Sequence, residues 1–160
     1  MATRPLAVFD LDGTLADVRH RLPLLRRRPR DWDAFFAAAV DDPPLPEGVT
    51  LALASAEEYE VAYVTGRPER CRLDTLDWLE RYGLPPGRLL MRQSRDRRPA
   101  RVAKPELLRR LAGEAEIAFV VDDDEQVCAA YEAAGFRVRR AAWMTGEPAL
   151  EQAQEREGRT

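Results

Sequence analysis

The sequence predicts an α/β protein, a doubly wound parallel sheet with a small helical cap inserted after the first strand. Three observations predict it. The apolar runs Leu6–Phe9, Glu60–Val64 and Ile117–Val121 lack alternation, as strands buried on both faces do. Helical stretches separate them, so strand and helix succeed one another along the chain. Each run also closes on functional residues: Asp10 and Asp12, Thr65, then Asp122 and Asp123. Open α/β sheets place their ligands at such strand ends.

The elements follow in order. Leu6–Phe9 is the opening strand, and Gly13 permits the tight departure after it. Ala16 to Arg30 is polar and basic, with the only histidine, His20, and the run Arg26-Arg27-Arg28-Pro29-Arg30. Pro23 and Pro29 argue against one continuous helix there. Asp31–Val40 reads as a short helix with Asp31 near its start, stopped by Asp41-Asp42-Pro43-Pro44. Trp32, Phe35 and Phe36 would pack it down. Pro46 and Glu47 open a helix through about Glu58, and Glu60–Val64 is the second strand.

Glu69–Tyr82 is a long helix with Leu73, Leu76 and Leu79 at helical spacing and Gly83 as its stop. Leu89–Met91 is a short strand, and Arg92–Arg101 a charged loop. Lys104 opens the next helix with Pro105 in its first turn; Leu107, Leu108 and Leu111 form its apolar side. After the strand Ile117–Val121 come the helix Glu125–Ala134, Gly135, and a last strand Phe136–Arg139. The segment after Gly146 is polar and is expected to fray. Residues 1–146 therefore form one domain, with the cap at about 16–46 and a tail over 147–160.

Composition excludes several classes. At 160 residues, one domain is the default and disulfide staples are not required. Cys71 and Cys128 lack metal-ligand spacing and read as reduced thiols, in keeping with a cytoplasmic protein. No apolar run is long enough to span a membrane, and Met1–Pro5 does not resemble a signal peptide. The net charge of −3 gives no global basic field for nucleic acid, although arginines cluster locally.

In a doubly wound sheet the three functional strand ends lie along one edge. Two pairs of carboxylates meeting there would repel unless a cation sat between them. Mg²⁺ suits the setting, because it takes oxygen ligands and retains positions for water or phosphate. A carboxylate is also a competent nucleophile, as in aspartyl-phosphate chemistry. Thr65, Lys104 and nearby arginines would supply donors and charge to a phosphate.

The four motifs Asp10-Leu11-Asp12-Gly13-Thr14, Thr65, Lys104 and Asp122-Asp123 occur in the order of the haloacid dehalogenase superfamily, which the chain resembles. The resemblance implies that superfamily's Rossmannoid fold. A narrower likeness lies in Val64-Thr65-Gly66-Arg67-Pro68, Thr75–Leu79, Met91–Arg98 with Lys104, and Asp31–Phe36 before Asp41. These look like the 3′-phosphatase domain of phage-type polynucleotide kinase/phosphatases, from about Leu6 to Val138. The chain departs from the bifunctional pattern in having no Gly-x-x-x-x-Gly-Lys-[Ser/Thr] loop, and in the third successive acid, Asp124.

The resemblance implies roles residue by residue. Asp10 would be the nucleophile. Asp12 would be the general acid and base. Thr65 and Lys104 would hold the transferring phosphoryl group. Mg²⁺ would be held by Asp10, the backbone carbonyl of Asp12, and Asp122, with Asp123 close by. Arg21, Gly66 and Arg67 would contact substrate, and Asp96 would orient Lys104 or a neighbouring arginine.

The expected function is a polynucleotide 3′-phosphatase. The alternatives are a phosphatase for mononucleotides or small metabolites, which the net charge favours, and a non-catalytic module that binds phosphorylated ends. Expected partners are a phosphorylated nucleic-acid end or a nucleotide. A homodimer and a separate kinase or ligase partner are compatible with the sequence; a membrane is not expected. The bland readings are solvated loops for Arg26–Arg28 and His20, ion pairing for Arg92, Arg95, Arg97, Arg98 and Arg101, and packing for Trp32, Trp78 and Trp143.

Overall fold

Five strands, β1 (Leu6–Phe9), β2 (Glu60–Pro68), β3 (Leu89–Arg92), β4 (Ile117–Asp122) and β5 (Val138–Arg140), form one sheet in a computed structural model that describes residues 3–144, 150 and 152–156. The order is β3-β2-β1-β4-β5 and every pair is parallel. The chain winds outward from β1 to β3, then crosses back to β4 and β5. The ends of β1, β2 and β4 therefore lie side by side where the winding reverses.

Alternate residues of each strand face opposite layers. Leu6, Val8, Ala62, Val64 and Val120 pack under Leu107, Leu108 and Leu111 of α5 (Ala100–Ala112) and Val127 and Tyr131 of α6 (Glu125–Ala133). Ala7, Phe9, Val61 and Tyr63 pack on the other side, under Ala52 and under Trp78 and Leu79. Ala52 belongs to the helix Pro46–Ser55 and the other two to Arg72–Arg81.

Between β1 and β2 the chain makes a 3-10 turn at Arg19–Arg21, the helices α1 (Pro23–Arg26) and α2 (Trp32–Ala37), a second 3-10 turn at Ala38–Asp41, and α3 (Pro46–Ser55). Asp31 caps α2 by accepting from the Ala34 N–H at 3.0 Å. Val18, Leu22, Leu25, Phe35, Phe36 and Leu45 form a separate core for this insertion.

Several elements differ from the sequence expectation. β2 continues through Thr65 to Pro68, so Thr65 sits within it, at a register shift. In α4 (Arg72–Arg81) Leu73 is 77% exposed and Leu76 40% exposed, while Thr75 and Trp78 point inward. Thr75 reaches Arg67, and Trp78 donates to the Asp42 carbonyl. Of the three spaced leucines only Leu79 is buried; Thr75 and Trp78, with their polar contacts, take the rest of the inward face. α5 starts at Ala100, not Lys104, and Pro105 lies inside it. Proline removes one intrahelical donor, which the helix tolerates here. β5 begins at Val138 rather than Phe136.

Of the tail expected to fray, residues 145–149, 151 and 157–160 lie outside the described residues. Leu150 and Ala153 are buried against the insertion's core, and 152–156 form one helical turn. Among the described residues, no helix is long and apolar enough to cross a membrane. Cys71 and Cys128 are free thiols, the second buried.

Candidate active site

The loop after β1 sets the first two carboxylates. The Asp10 N–H donates to the Val121 carbonyl at 2.9 Å, tying the end of β1 to β4. The N–H groups of Thr14, Leu15 and Ala16 all converge on the Leu11 carbonyl. That tight turn puts Gly13 at φ +85°, where a side chain is strained. A Cβ at Gly13 would also overlap the Asp123 carboxylate. The Thr14 hydroxyl donates to Asp10 Oδ2 at 3.1 Å.

Lys104 reaches this loop from the second turn of α5. Its Nζ lies 2.7 Å from both Asp10 Oδ1 and Asp122 Oδ2. Carboxylate oxygens of Asp10, Asp122 and Asp123 lie within 4.8 Å of one another. Burial opposes the charge on Lys104, but Asp10 and Asp122 hold its pKa well above the ordinary lysine value. Burial, with Asp10 beside it, pushes Asp122 up to about 7. Burial, Asp10 and Asp122 raise Asp123 well above the carboxylate range. Asp123 Oδ1 is buried, and no donor reaches it among the described residues. Three carboxylates against one ammonium, with an orphan oxygen between them, make an oxygen-only donor set that fits a hard divalent cation.

A second charge cluster covers Asp12. Arg21 Nη2 and Arg67 Nε each lie 2.9 Å from Asp12 Oδ1, and Arg67 Nη2 also reaches it. Both arginines bond Asp42 on their far side. Arg21 Nε and Nη2 lie 2.8 Å from its two oxygens, and Arg67 Nη2 lies 3.2 Å away. His20 Nε2 lies 2.7 Å from Asp42 Oδ1, and Trp78 Nε1 donates to the Asp42 carbonyl at 2.8 Å. The Arg21 guanidinium also stacks 4.2 Å above the Phe35 ring. Asp42 is fully buried, and burial raises its pKa despite Arg21 and Arg67. Two cations thus meet two anions out of water.

The structure brings together most of the residues singled out in the sequence: Asp10, Asp12, Arg21, Thr65, Arg67, Lys104, Asp122 and Asp123. Thr65 Oγ1 accepts from the Arg67 N–H at 3.1 Å. The Gly66 carbonyl accepts from Arg92 Nε at 3.1 Å. Asp96 lies apart. Its carboxylate pairs with Arg98 at 2.8 Å and stands 3.9 Å from Arg92, and Arg98 holds its pKa near 2. It braces the loop after β3 and the neighbouring arginines; Lys104 is taken by Asp10 and Asp122.

Sequence reasoning missed Asp42, gave Thr14 no role of its own within the first motif, and left Arg92 undistinguished among the loop arginines. Asp42 sits in an Asp-Asp-Pro-Pro run that reads as a helix stop. Arg92 is only 2% exposed at the end of β3, where the sequence reads as the start of a charged loop. Thr14, four residues after Asp10, carried the clearest available signal, since a hydroxyl at that spacing can turn back onto the acid.

The sequence model of the polynucleotide kinase PNKP phosphatase domain matches residues 5–143. A chain in the structure of a Pnkp1/Rnl/Hen1 complex is 25% identical with a TM-score of 0.70, over 88% of this chain and 46% of that one. A chain in the structure of the Pnkp1/Rnl/Hen1 RNA repair complex is 27% identical with a TM-score of 0.68, over 86% and 42%. The present chain thus spans less than half the length of these two relatives. A haloacid dehalogenase-like hydrolase from Streptococcus pneumoniae shares the fold at a TM-score of 0.63 and 14% identity, over 96% and 92%. No curated protein sequence matches.

Proposed function

From the premise that this chain belongs to the family of polynucleotide kinase phosphatase domains, and is a haloacid dehalogenase-type phosphatase, we propose that it removes 3′-terminal phosphates from polynucleotides through an aspartyl-phosphate. The observation that carries the chemistry is Lys104 bonded to both Asp10 and Asp122 at 2.7 Å, with Asp12 beside them under two arginines.

Asp10 is the nucleophile. One carboxylate oxygen forms the new bond to phosphorus while the bond to the 3′ oxygen breaks. Asp12 delivers a proton to that leaving oxygen and later takes one from the attacking water, which releases inorganic phosphate and restores Asp10. Lys104 and Thr65 hold the phosphoryl oxygens, and Thr14 fixes the rotamer of Asp10. Mg²⁺, held by Asp10, Asp122, Asp123 and the Asp12 carbonyl, would neutralise charge on the phosphoryl oxygens. Arg21 and Arg67 have donors close to Asp12 and offer them to the incoming phosphate. Asp42 keeps both guanidiniums in place as they turn toward it. The small insertion and the arginines around it favour a long anionic substrate. A separate kinase or ligase would then act on the repaired end.

The test is phosphate release with Mg²⁺ from a 3′-phosphorylated oligonucleotide, from 3′- and 5′-mononucleotides and from sugar phosphates, with Asp10→Asn as control. The oligonucleotide should have the highest kcat/KM, and Asp10→Asn should abolish turnover of all of them. Faster release from mononucleotides or sugars would retain the chemistry and overturn the polynucleotide assignment. Turnover surviving in Asp10→Asn would overturn the nucleophile.

A further inference from the structure

The described part of the C-terminal segment crosses from the insertion to the sheet's active edge. Leu150 and Ala153 lie in the same apolar cluster as Leu22, Leu25 and Phe36. Gln152 Oε1 accepts from Arg30 Nη2 at 2.7 Å. On the other side, Glu155 Oε2 accepts from Arg101 Nη1 at 2.8 Å. Arg101 is one helical turn before Lys104 on α5, so it stands just outside the lysine that holds Asp10.

Glu155 is buried, which is unusual for a carboxylate on a terminal segment. Its surroundings suit an anion only in part. Arg92 is also buried; burial lowers its pKa, and Glu155 is among the carboxylates that offset this. Arg92 Nε is taken by the Gly66 carbonyl and Nη1 by the Arg98 carbonyl, but Nη2 is buried and meets no acceptor among the described residues. Glu155 also meets the carboxyl group of Asp124, the cap of α6, and the two share a hydrogen bond. Glu155 therefore satisfies Arg101 from the C-terminal segment and leaves a buried Arg92 donor open, as a displaceable occupant would.

We infer that Arg92 and Arg101 form a second anion subsite, one helical turn outside Lys104, that takes the phosphodiester next to the scissile phosphate and is occupied by Glu155 when no strand is bound. The inference rests on the polynucleotide reading above and deepens it. It gives the enzyme a reason to prefer a strand to a mononucleotide, which has no phosphodiester to offer. It also makes the C-terminal segment a competitor of the substrate.

Arg101 is half-exposed, and Glu155→Gln keeps the size of the buried side chain, so single substitutions in the full chain preserve the packing. The readout is the ratio of kcat/KM for a 3′-phosphorylated oligonucleotide to that for a 3′-mononucleotide. Arg101→Ala should lower this ratio by about fivefold or more and reduce the salt slope of oligonucleotide binding by about one. Glu155→Gln should raise the ratio by lowering KM for the oligonucleotide, and should lose that effect when combined with Arg101→Ala. An unchanged ratio and salt slope in Arg101→Ala would overturn the subsite. A KM that Glu155→Gln leaves untouched would remove the segment's role as occupant. Failure of the polynucleotide reading itself shows separately, as a wild-type preference for the mononucleotide before either variant is made.

Discussion

In the proposed reaction Asp42 decides whether Arg21 and Arg67 can serve a substrate. Without it both guanidiniums would have Asp12 as their one carboxylate among the described residues, and they would close on the proposed general acid. Asp42 accepts from both and so shares the charge. Asp42→Asn keeps the shape and removes the charge from a fully buried site. Breaking such a buried pair costs about 3–5 kcal/mol, which a lowered urea midpoint would report. The same change should reduce kcat/KM by at least about tenfold, equivalent to 1.4 kcal/mol of transition-state stabilisation. Asp33→Asn, whose side chain is 95% exposed, should stay within about 0.5 kcal/mol of the wild type. If both variants behave alike, Asp42 is not a positioning residue. At this scale legibility depended on local context. Asp10, Asp12 and Asp122 stand at the ends of apolar runs, which marks them. Asp42 gains its role from partners 21, 25 and 36 residues away, and nothing beside it in the sequence announces them.

Elements carry the site by how closely they approach it. α3 lies against the loop of Asp12 at Gly48, where a Cβ would overlap the Thr14 carbonyl. In an exposed helix, glycine to alanine gains about 1 kcal/mol. Here Gly48→Ala should destabilise the protein and also slow turnover, because relief of the overlap must move either α3 or the loop between Asp12 and Thr14. Thermal unfolding together with phosphate release checks this; a higher Tm with unchanged kcat would mean that the helix is free to shift. Strands were the easily read elements, since a run buried on both faces is apolar throughout. Helices were read less well. The leucine spacing of α4 placed Leu79 correctly but not Leu73 and Leu76, because Thr75 and Trp78 face inward with hydrogen bonds to Arg67 and Asp42. Pro105 looked like a helix start, yet Ala100–Ala103 already begins α5, and that extra turn is what places Arg101 above Lys104.

Across the whole molecule the three clustered carboxylates link stability to protons and, under the proposed Mg²⁺ site, to metal. Asp122 stands at about 7 and Asp123 well above its ordinary value, against 3.8 for an unperturbed aspartate. Between about pH 4 and 7 the folded chain therefore holds more protons than the unfolded one, so its stability falls as pH rises. Asp96 has the opposite sign: Arg98 keeps it near 2, so its contribution is full above about pH 4 and is lost only as pH falls toward 2. Chelated protein should accordingly show a higher Tm at pH 5.5 than at 7.5. The proposed divalent cation would bind only the folded cluster and compete with those protons, so Mg²⁺ should stabilise more at pH 7.5. At a hundredfold excess over Kd the gain is about 2.7 kcal/mol, or roughly 5–10 °C for a chain of this size. Asp122→Asn should flatten the pH slope of the chelated protein and weaken the response to Mg²⁺ together, because one carboxylate feeds both. Asp124, pushed up to about 7 by burial and Glu155, leaves a residual slope of the same sign. A chelated protein whose Tm rises from pH 5.5 to 7.5 would mean that the carboxylates are already balanced by the chain itself, and that the cluster is not built around a cation.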